Sequence, residues 1–373
     1  MNKTVLIGLI TVLALPGIGR AENASVSYPS IEALGEALFF DTNLSKNRTQ
    51  SCASCHAPEN GFADPRGAAS LGDDGASIGD RNAPTASYAS FAPPFHQRDD
   101  GAWVGGQFLD GRAADLMEQA GGPPLNPIEM GLTDKAEAVA RLAENPSYVA
   151  AFDSLFDQGI LNRPDEAYSA MTQAIAMFER TDQFAPFDSK YDRFLRGEVE
   201  LAKEEELGRI LFFSEQFTNC NLCHQLQRSQ IHPQETFSNY EFHNIGVPVN
   251  QSLRAENGVL TKDLGLLANP LVTDPSQAGK FKVPTLRNVA VTGPYMHNGV
   301  FDDLRTVVLF YNRYNTTAKT RQMNPETGGV FGMPEVPQTL ATKELTHGPA
   351  LNDSEIDALV AFMKTLTDAQ YEH

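Results

Sequence analysis

The chain has 373 residues, enough for about two domains, and 41% hydrophobic content is sufficient to fill their cores. Its 47 acidic against 29 basic residues give a net charge of −18, which argues against nucleic acid or an anionic membrane as partner and leaves an acidic, solvated surface. The 29 glycines and 23 prolines favour many loops between short elements.

Residues 1–21 read as a secretory signal. Lys3 supplies the positive start, Val5 to Leu15 is an apolar run too short to span a bilayer, and Gly19-Arg20-Ala21 ends in small residues at the expected cleavage site. This predicts export to the periplasm and no membrane attachment after cleavage. Leu34-Gly35-Glu36-Ala37-Leu38-Phe39-Phe40 follows, with apolar residues at the spacing of an amphipathic helix.

Next comes Cys52-Ala53-Ser54-Cys55-His56. Two cysteines about one turn apart can each form a thioether to a haem vinyl, and the adjacent histidine then faces the iron. A second such unit, Cys220-Asn221-Leu222-Cys223-His224, uses the remaining two of the 4 cysteines. A disulfide framework would not need the histidines, and zinc would need further ligands at matching spacing. The sequence therefore predicts two covalent c-type haems, at Cys52/Cys55/His56 and at Cys220/Cys223/His224.

The flanks of the two units repeat one another. Leu207-Gly208-Arg209-Ile210-Leu211-Phe212-Phe213 echoes the helix at 34–40. Ala83-Pro84-Thr85 matches Val283-Pro284-Thr285. Asp110-Gly111 with Leu116 matches Asn298-Gly299 with Leu304. Each half closes on a helix. One opens at Pro164-Asp165-Glu166, with Tyr168, Met171, Ile175 and Phe178 on one face. The other is capped by Asn352-Asp353-Ser354, with Ile356, Leu359, Val360, Met363 and Leu366 on one face. Helix, haem unit, irregular loops and terminal helix is the order of a class I cytochrome c domain. The predicted fold is mainly α: two tandem domains of this type with long irregular loops, residues 22–192 and 193–373, divided near the charged stretch Asp188–Glu198.

The repeat also bears on the sixth iron ligands. It sets Leu109 opposite His297 and Pro123 opposite Tyr311. A tyrosine phenolate can ligate haem iron and a proline cannot. The register thus predicts an open first haem and a six-coordinate second one, an asymmetry that points to an enzyme rather than an electron carrier. From spacing alone Tyr311 reads first as a core aromatic of Leu304–Tyr314, and Met296, Met323 and Met333 are rival ligands. An open haem needs a group to move protons off peroxide, and Gln119 and Glu129 lie close enough to Pro123 to serve. His96, His232, His243, His347 and His373 read as structural or exposed.

Across nearly all of the mature chain the sequence resembles the bacterial di-haem cytochrome c peroxidase/MauG family. The segments that carry the resemblance are Gly79-Asp80-Arg81-Asn82-Ala83-Pro84-Thr85, Leu125-Asn126-Pro127-Ile128-Glu129-Met130, Pro186-Phe187-Asp188-Ser189-Lys190-Tyr191-Asp192 and the run from Phe281 to Gly299. The resemblance implies that Tyr311 is the ligand of the second haem, as in the MauG-like branch, where peroxidases carry methionine. It implies that Gln119, Glu129 and Pro123 line the distal side of the first haem. It also implies a calcium ion between the haems, held by Asn82 and by the backbone oxygens of Thr292 and Pro294. The implied activity uses peroxide, or dioxygen plus electrons, to form a high-valent di-haem state. That state oxidises tryptophans in the precursor of the methylamine dehydrogenase small subunit to tryptophan tryptophylquinone. The alternative within the family is a peroxidase with a small redox protein as donor. Two departures stand out. Leu109 and Thr218 occupy positions where the family and its MauG-like branch have tryptophan, and Trp103 is the only tryptophan in the chain. Trp103 itself reads as structural, with Phe217 and Tyr295 as other aromatics near the expected electron route.

Overall fold

The computed structural model describes residues 27–227, 229 and 231–372, so the secretory signal expected at 1–21 lies outside the described residues. The regular structure of the described residues is almost entirely helical, set among long irregular loops. Its helices are α1 (Ile31–Phe39), α2 (Cys52–Cys55), α3 (Leu116–Ala120), α4 (Lys135–Ala143), α5 (Pro146–Leu155), α6 (Pro164–Phe178), α7 (Lys190–Leu195), α8 (Lys203–Phe212), α9 (Gln251–Asn257), α10 (Leu304–Asn312), α11 (Thr342–Leu345) and α12 (Asp353–Lys364). Strand structure among the described residues is confined to two-residue antiparallel pairs. β1 (His96–Gln97) pairs with β2 (Trp103–Val104), and β3 (Phe242–His243) pairs with β4 (Phe281–Lys282).

The first large core is built where α1 crosses α6. Ser30 caps α1 by accepting from the Ala33 amide at 3.2 Å, and Pro164 starts α6 where its missing N–H costs nothing. The faces read from periodicity are the faces that are buried: Leu34, Leu38 and Phe39 on α1, and Tyr168, Met171, Ile175 and Phe178 on α6. The helices approach closely because Gly35 has no side chain; a Cβ there would overlap the carbonyl of Ala174. Phe39, Phe62, Phe178 and Phe184 fill the space beneath in mostly edge-to-face contacts, and Phe62 stacks on Phe184 at 4.0 Å.

The second large core repeats this arrangement with α8 and α12. Gly208 lies against the Ala358 carbonyl as Gly35 lies against Ala174. Asn352 caps α12 with a capping box, accepting from the Glu355 amide at 3.0 Å while its own amide donates to the Glu355 carboxylate at 2.8 Å. Phe212, Phe237 and Phe362, with Tyr191, form its aromatic centre.

The charged stretch 188–198 is folded. Ser189 caps α7, and Tyr191 and Asp192 are buried. Asp192 is buried because it pairs with Arg287, itself fully enclosed, at 2.6 and 3.0 Å. Sequence patterning sees only the charges, and the pairing that lets them enter the interior is long-range.

Candidate functional site

The two cysteine-histidine units are built alike. Ser51 precedes α2, and its amide donates to Ser54 Oγ at 3.0 Å, so Cys52 to Cys55 form one helical turn. His56 N donates to the Cys52 carbonyl at 2.9 Å, and His224 N donates to the Cys220 carbonyl at 2.9 Å. All four cysteines are free of disulfides and half-buried. Burial pushes the Cys52 thiol up to about 12 and the Cys220 thiol up to about 11, so neither is a ready thiolate.

Each histidine is held by one ring nitrogen. His56 Nδ1 lies 3.2 Å from the Phe62 carbonyl, and His224 Nδ1 lies 3.1 Å from the Phe237 carbonyl. Burial disfavours the charged ring in both and brings His224 down to about 4. A neutral imidazole that donates through Nδ1 has its Nε2 lone pair free for a metal. Unpaired thiols one turn apart beside a histidine so oriented fit a covalently held haem in both halves.

At the second unit these groups open onto a cavity of about 370 Å³ lined by Cys220, Cys223, His224 and Tyr311. Tyr311 sits near the end of α10, and burial, reinforced by the sulfurs of Cys223 and Cys220, raises its phenol far above the usual range. Of the rival ligands Met296 is in the wall. Met333 is 81% exposed and Met323 38% exposed, and neither lines the cavity.

The local register behind Pro123 and Tyr311 is visible in the helix caps. Asp115 caps α3 and Asp303 caps α10, and each residue stands the same distance past its cap, 115 to 123 and 303 to 311. In the second half the helix runs unbroken to Tyr311. In the first, Gly121-Gly122 ends α3, and Pro123 begins a short 3-10 turn that cannot continue it.

Gln119 occupies the last turn of α3. Met130 N donates to the Pro123 carbonyl at 3.2 Å, which folds Glu129 back towards Pro123. Glu129 is half-buried, and desolvation raises its pKa against the opposing pull of Arg112 and a hydrogen bond from Asn126; its charge is felt at Cys55. Asn82, Thr292 and Pro294 all lie in the wall of the same cavity. The Asn82 amide N–H donates to the His297 carbonyl at 2.8 Å, and its side-chain amide donates to the Ala68 carbonyl at 3.3 Å. Among the described residues no group of three or more His, Cys, Asp or Glu is arranged to hold a metal.

Leu109 and Thr218 both line the cavity, as do Phe217 and Tyr295. Trp103 does not; it stacks on Phe95 at 4.9 Å in a small apolar cluster with Phe242, Leu266 and Val272. Several wall residues were not singled out by sequence reasoning. His243, read as structural or exposed, lines the cavity and is raised to about 10, with burial opposed by the Cys223 sulfur and by Glu241, 3.4 Å away. Lys282 is lowered to about 8 by burial, and its ammonium donates to the Gly106 carbonyl. Tyr88 is almost completely enclosed. The signal for Tyr88 was present, because it stands opposite Asn288 in the repeat. His243 and Lys282 gave none, since β3 and β4 pair only in three dimensions.

Similarity to known proteins agrees with this geometry. A family model described as di-haem cytochrome c peroxidase matches residues 29–200. The methylamine utilization protein MauG of Paracoccus denitrificans is 50% identical over 96% of this chain and 94% of its own length. The chain belongs to the di-haem cytochrome c peroxidase/MauG family. As a member of that family it is a haem-dependent oxidoreductase. The cytochrome c peroxidase Ccp of Escherichia coli is 35% identical over 76% of this chain and 53% of its own length. Among solved structures, the di-haem peroxidase BthA of Burkholderia thailandensis superposes with a TM-score of 0.81 at 32% identity, covering 93% of this chain and 88% of its own. A MauG-like protein associated with microbial copper homeostasis superposes with a TM-score of 0.68 at 29% identity, covering 95% of both chains. No helix among the described residues of this family member is long and apolar enough to cross a membrane.

Proposed function

We propose that this protein is a di-haem oxidase of the MauG type. It is built as two class I cytochrome c-like domains, 22–192 and 193–373, and exported to the periplasm by residues 1–21. Cys52 and Cys55 hold one haem with His56 as iron ligand, and Cys220 and Cys223 hold the other with His224. The observation that carries the reading is the contrast between α10, which brings Tyr311 to the cavity wall beside Cys220 and Cys223, and α3, which breaks before Pro123. Tyr311 would supply a ligand to the second haem iron, whereas Pro123 has no group to offer the first.

When bound, the haems supply iron centres that exchange electrons and, where a position is open, accept peroxide or dioxygen. The chain does the rest. The Phe62 and Phe237 carbonyls fix the tautomer and orientation of His56 and His224. Glu129, its proton affinity raised by burial, takes a proton from peroxide and returns it to the departing oxygen, with Gln119 orienting the oxidant. Pro123 offers no group that competes for the iron. Asn82 and the backbone oxygens of Thr292 and Pro294 are hard donors suited to calcium, which would brace the wall between the haems. The substrate would be the precursor of the methylamine dehydrogenase small subunit, in which peroxide, or dioxygen plus electrons, would supply the oxygen and the oxidising equivalents that hydroxylate one tryptophan, cross-link it to a second and oxidise the product to tryptophan tryptophylquinone.

The second reading is a di-haem peroxidase reducing hydrogen peroxide with a small redox protein. Leu109 and Thr218 favour it, since neither side chain can be oxidised as a stepping stone. One assay separates the two. Peroxide added with the precursor subunit should produce quinone absorbance; rapid peroxide consumption with a cytochrome donor and no quinone supports the peroxidase. Ferric absorption and EPR spectra should show one high-spin and one low-spin haem, and two low-spin haems would rule out both readings.

A further inference from the structure

We propose that Tyr88 is a one-electron relay between the two haem sites, passing its phenolic proton to Asp368 as it is oxidised. The proposal rests on the reading that haems are held at His56 and His224.

Position is the first argument. The Phe62 carbonyl that anchors His56 also accepts from the Ala86 amide at 3.0 Å, so Tyr88 stands two residues beyond the first histidine's anchor. Its ring is 1% exposed and lines the cavity that contains His224. The Arg287 guanidinium lies 5.3 Å from the Tyr88 ring and 5.4 Å from the ring of Phe237, the residue whose carbonyl anchors His224. Tyr88 thus connects the mounting of one histidine to that of the other. Leu109, in the same wall, offers only an alkyl chain.

Chemistry is the second. Tyr88 Oη donates to Asp368 Oδ1 at 2.6 Å. The other carboxylate oxygen accepts from Asn288 Nδ2 at 2.7 Å, and Asp368 N donates to Asn288 Oδ1 at 2.8 Å, so the acceptor is held from two sides. The guanidinium against the Tyr88 ring opposes a ring cation. Oxidation must therefore release the proton with the electron, and Asp368 is the base within reach.

The repeat supplies the third. Tyr88 and Asn288 follow Pro-Thr at the same spacing, share left-handed φ values of 59° and 61°, and both grip Asp368. Asparagine meets the structural need in one half. The other half has an oxidisable ring.

The step balances. Tyr88 passes one electron to a peroxide-oxidised haem iron and its proton to Asp368 Oδ1, leaving a neutral phenoxyl and a carboxylic acid. One electron from the other haem, with the proton returned by Asp368, restores phenol and carboxylate.

The test uses the holoprotein without a protein partner. Wild type, with and without ring-deuterated tyrosine, and Tyr88→Phe are mixed with one equivalent of hydrogen peroxide and frozen within milliseconds for EPR. A radical signal that narrows on deuteration and falls at least about ten-fold in Tyr88→Phe is expected, with the resting haem spectra unchanged. Asp368→Asn should lower its yield. Tyr88→Trp, which keeps an oxidisable ring, should replace the tyrosyl signal by an indole one, and decides the matter if the phenylalanine variant does not fold. Absence of a tyrosyl signal in wild type, or an undiminished one in Tyr88→Phe or Tyr88→Trp, overturns the relay. Failure of the haem reading is separate, because it would appear in the resting wild-type spectra before peroxide is added.

Discussion

Gly35 on α1 lies so close to Ala174 on α6 that any side chain at 35 would occupy the space of the Ala174 carbonyl oxygen, and Gly208 stands in the same relation to Ala358. These two contacts set the helix crossings that close the cores behind the two haem units. The obstacle is backbone in each case, so a neighbour cannot rotate away. Gly35→Ala and Gly208→Ala should each destabilise the protein by about 1–3 kcal/mol, as overpacking does. Denaturant unfolding of the two variants measures this, and a change below about 0.5 kcal/mol in either would show that the crossing tolerates a wider helix separation.

The Arg287–Asp192 pair is enclosed on both sides. Asp192→Ala would leave a guanidinium buried among Tyr88, Phe187 and Phe237 without its counter-charge. Breaking such a pair from one side costs about 3–5 kcal/mol. Urea unfolding should show that loss, whereas Arg196→Ala, which breaks an exposed pair with Glu198, should stay within about 1 kcal/mol of wild type.

Asp368 carries a pH signature. Burial raises its carboxyl from 3.8 to about 6, against the opposing hydrogen bonds of Tyr88 and Asn288. A raised carboxyl favours the folded state while it is protonated in both states. Its contribution is therefore complete below about pH 4 and is lost as pH rises to about 6, by up to roughly 3 kcal/mol. Stability measured from pH 4 to 7 should rise more steeply in Asp368→Asn than in wild type, and parallel curves would remove Asp368 as the cause.

Glu129 is the proton carrier of the proposed mechanism. Glu129→Gln keeps the shape and removes the exchangeable carboxyl proton, so the rate of reaction with peroxide should fall by about 10²–10⁴ with the resting spectra unchanged. Stopped-flow mixing with peroxide reads this directly. A rate within a few-fold of wild type would assign proton transfer to another group.

Tyr311 should define the second haem's spectrum. Tyr311→Lys should replace the low-spin EPR signal of the resting protein by that of a nitrogen-ligated or high-spin centre. An unchanged signal would transfer the ligand role to Met296, the rival that the fold leaves in the cavity wall.

Much of the site could be read along the chain because its determinants are local. A cysteine pair and histidine within five residues state their chemistry without a fold. The Pro123/Tyr311 contrast was legible because a duplicated chain supplies its own alignment, and the break at Gly121-Gly122-Pro123 is written in residue types whose backbone preferences are fixed. The buried faces of α1 and α6 followed from period alone, whereas Leu207 on the expected face of α8 is exposed and Val360 on that of α12 is only half-buried.

What the tertiary structure decided is whatever depends on distant residues meeting. The stretch at 188–198 has the composition of a solvated segment and is buried at Asp192, because Arg287 arrives from a distant part of the sequence. His243 and Lys282 reach the cavity through the pairing of β3 with β4, which two-residue strands do not announce. Tyr88 meets Asp368 across a separation of 280 residues. The sequence by itself carries the two cysteine-histidine units, the repeat of their flanks and the Pro123/Tyr311 contrast, since each is encoded in local spacing. Only the fold decided which charged and aromatic side chains meet in the cavity wall and beside it, because buried ion pairs and shared carboxylates come from long-range packing and leave no periodic trace in the sequence.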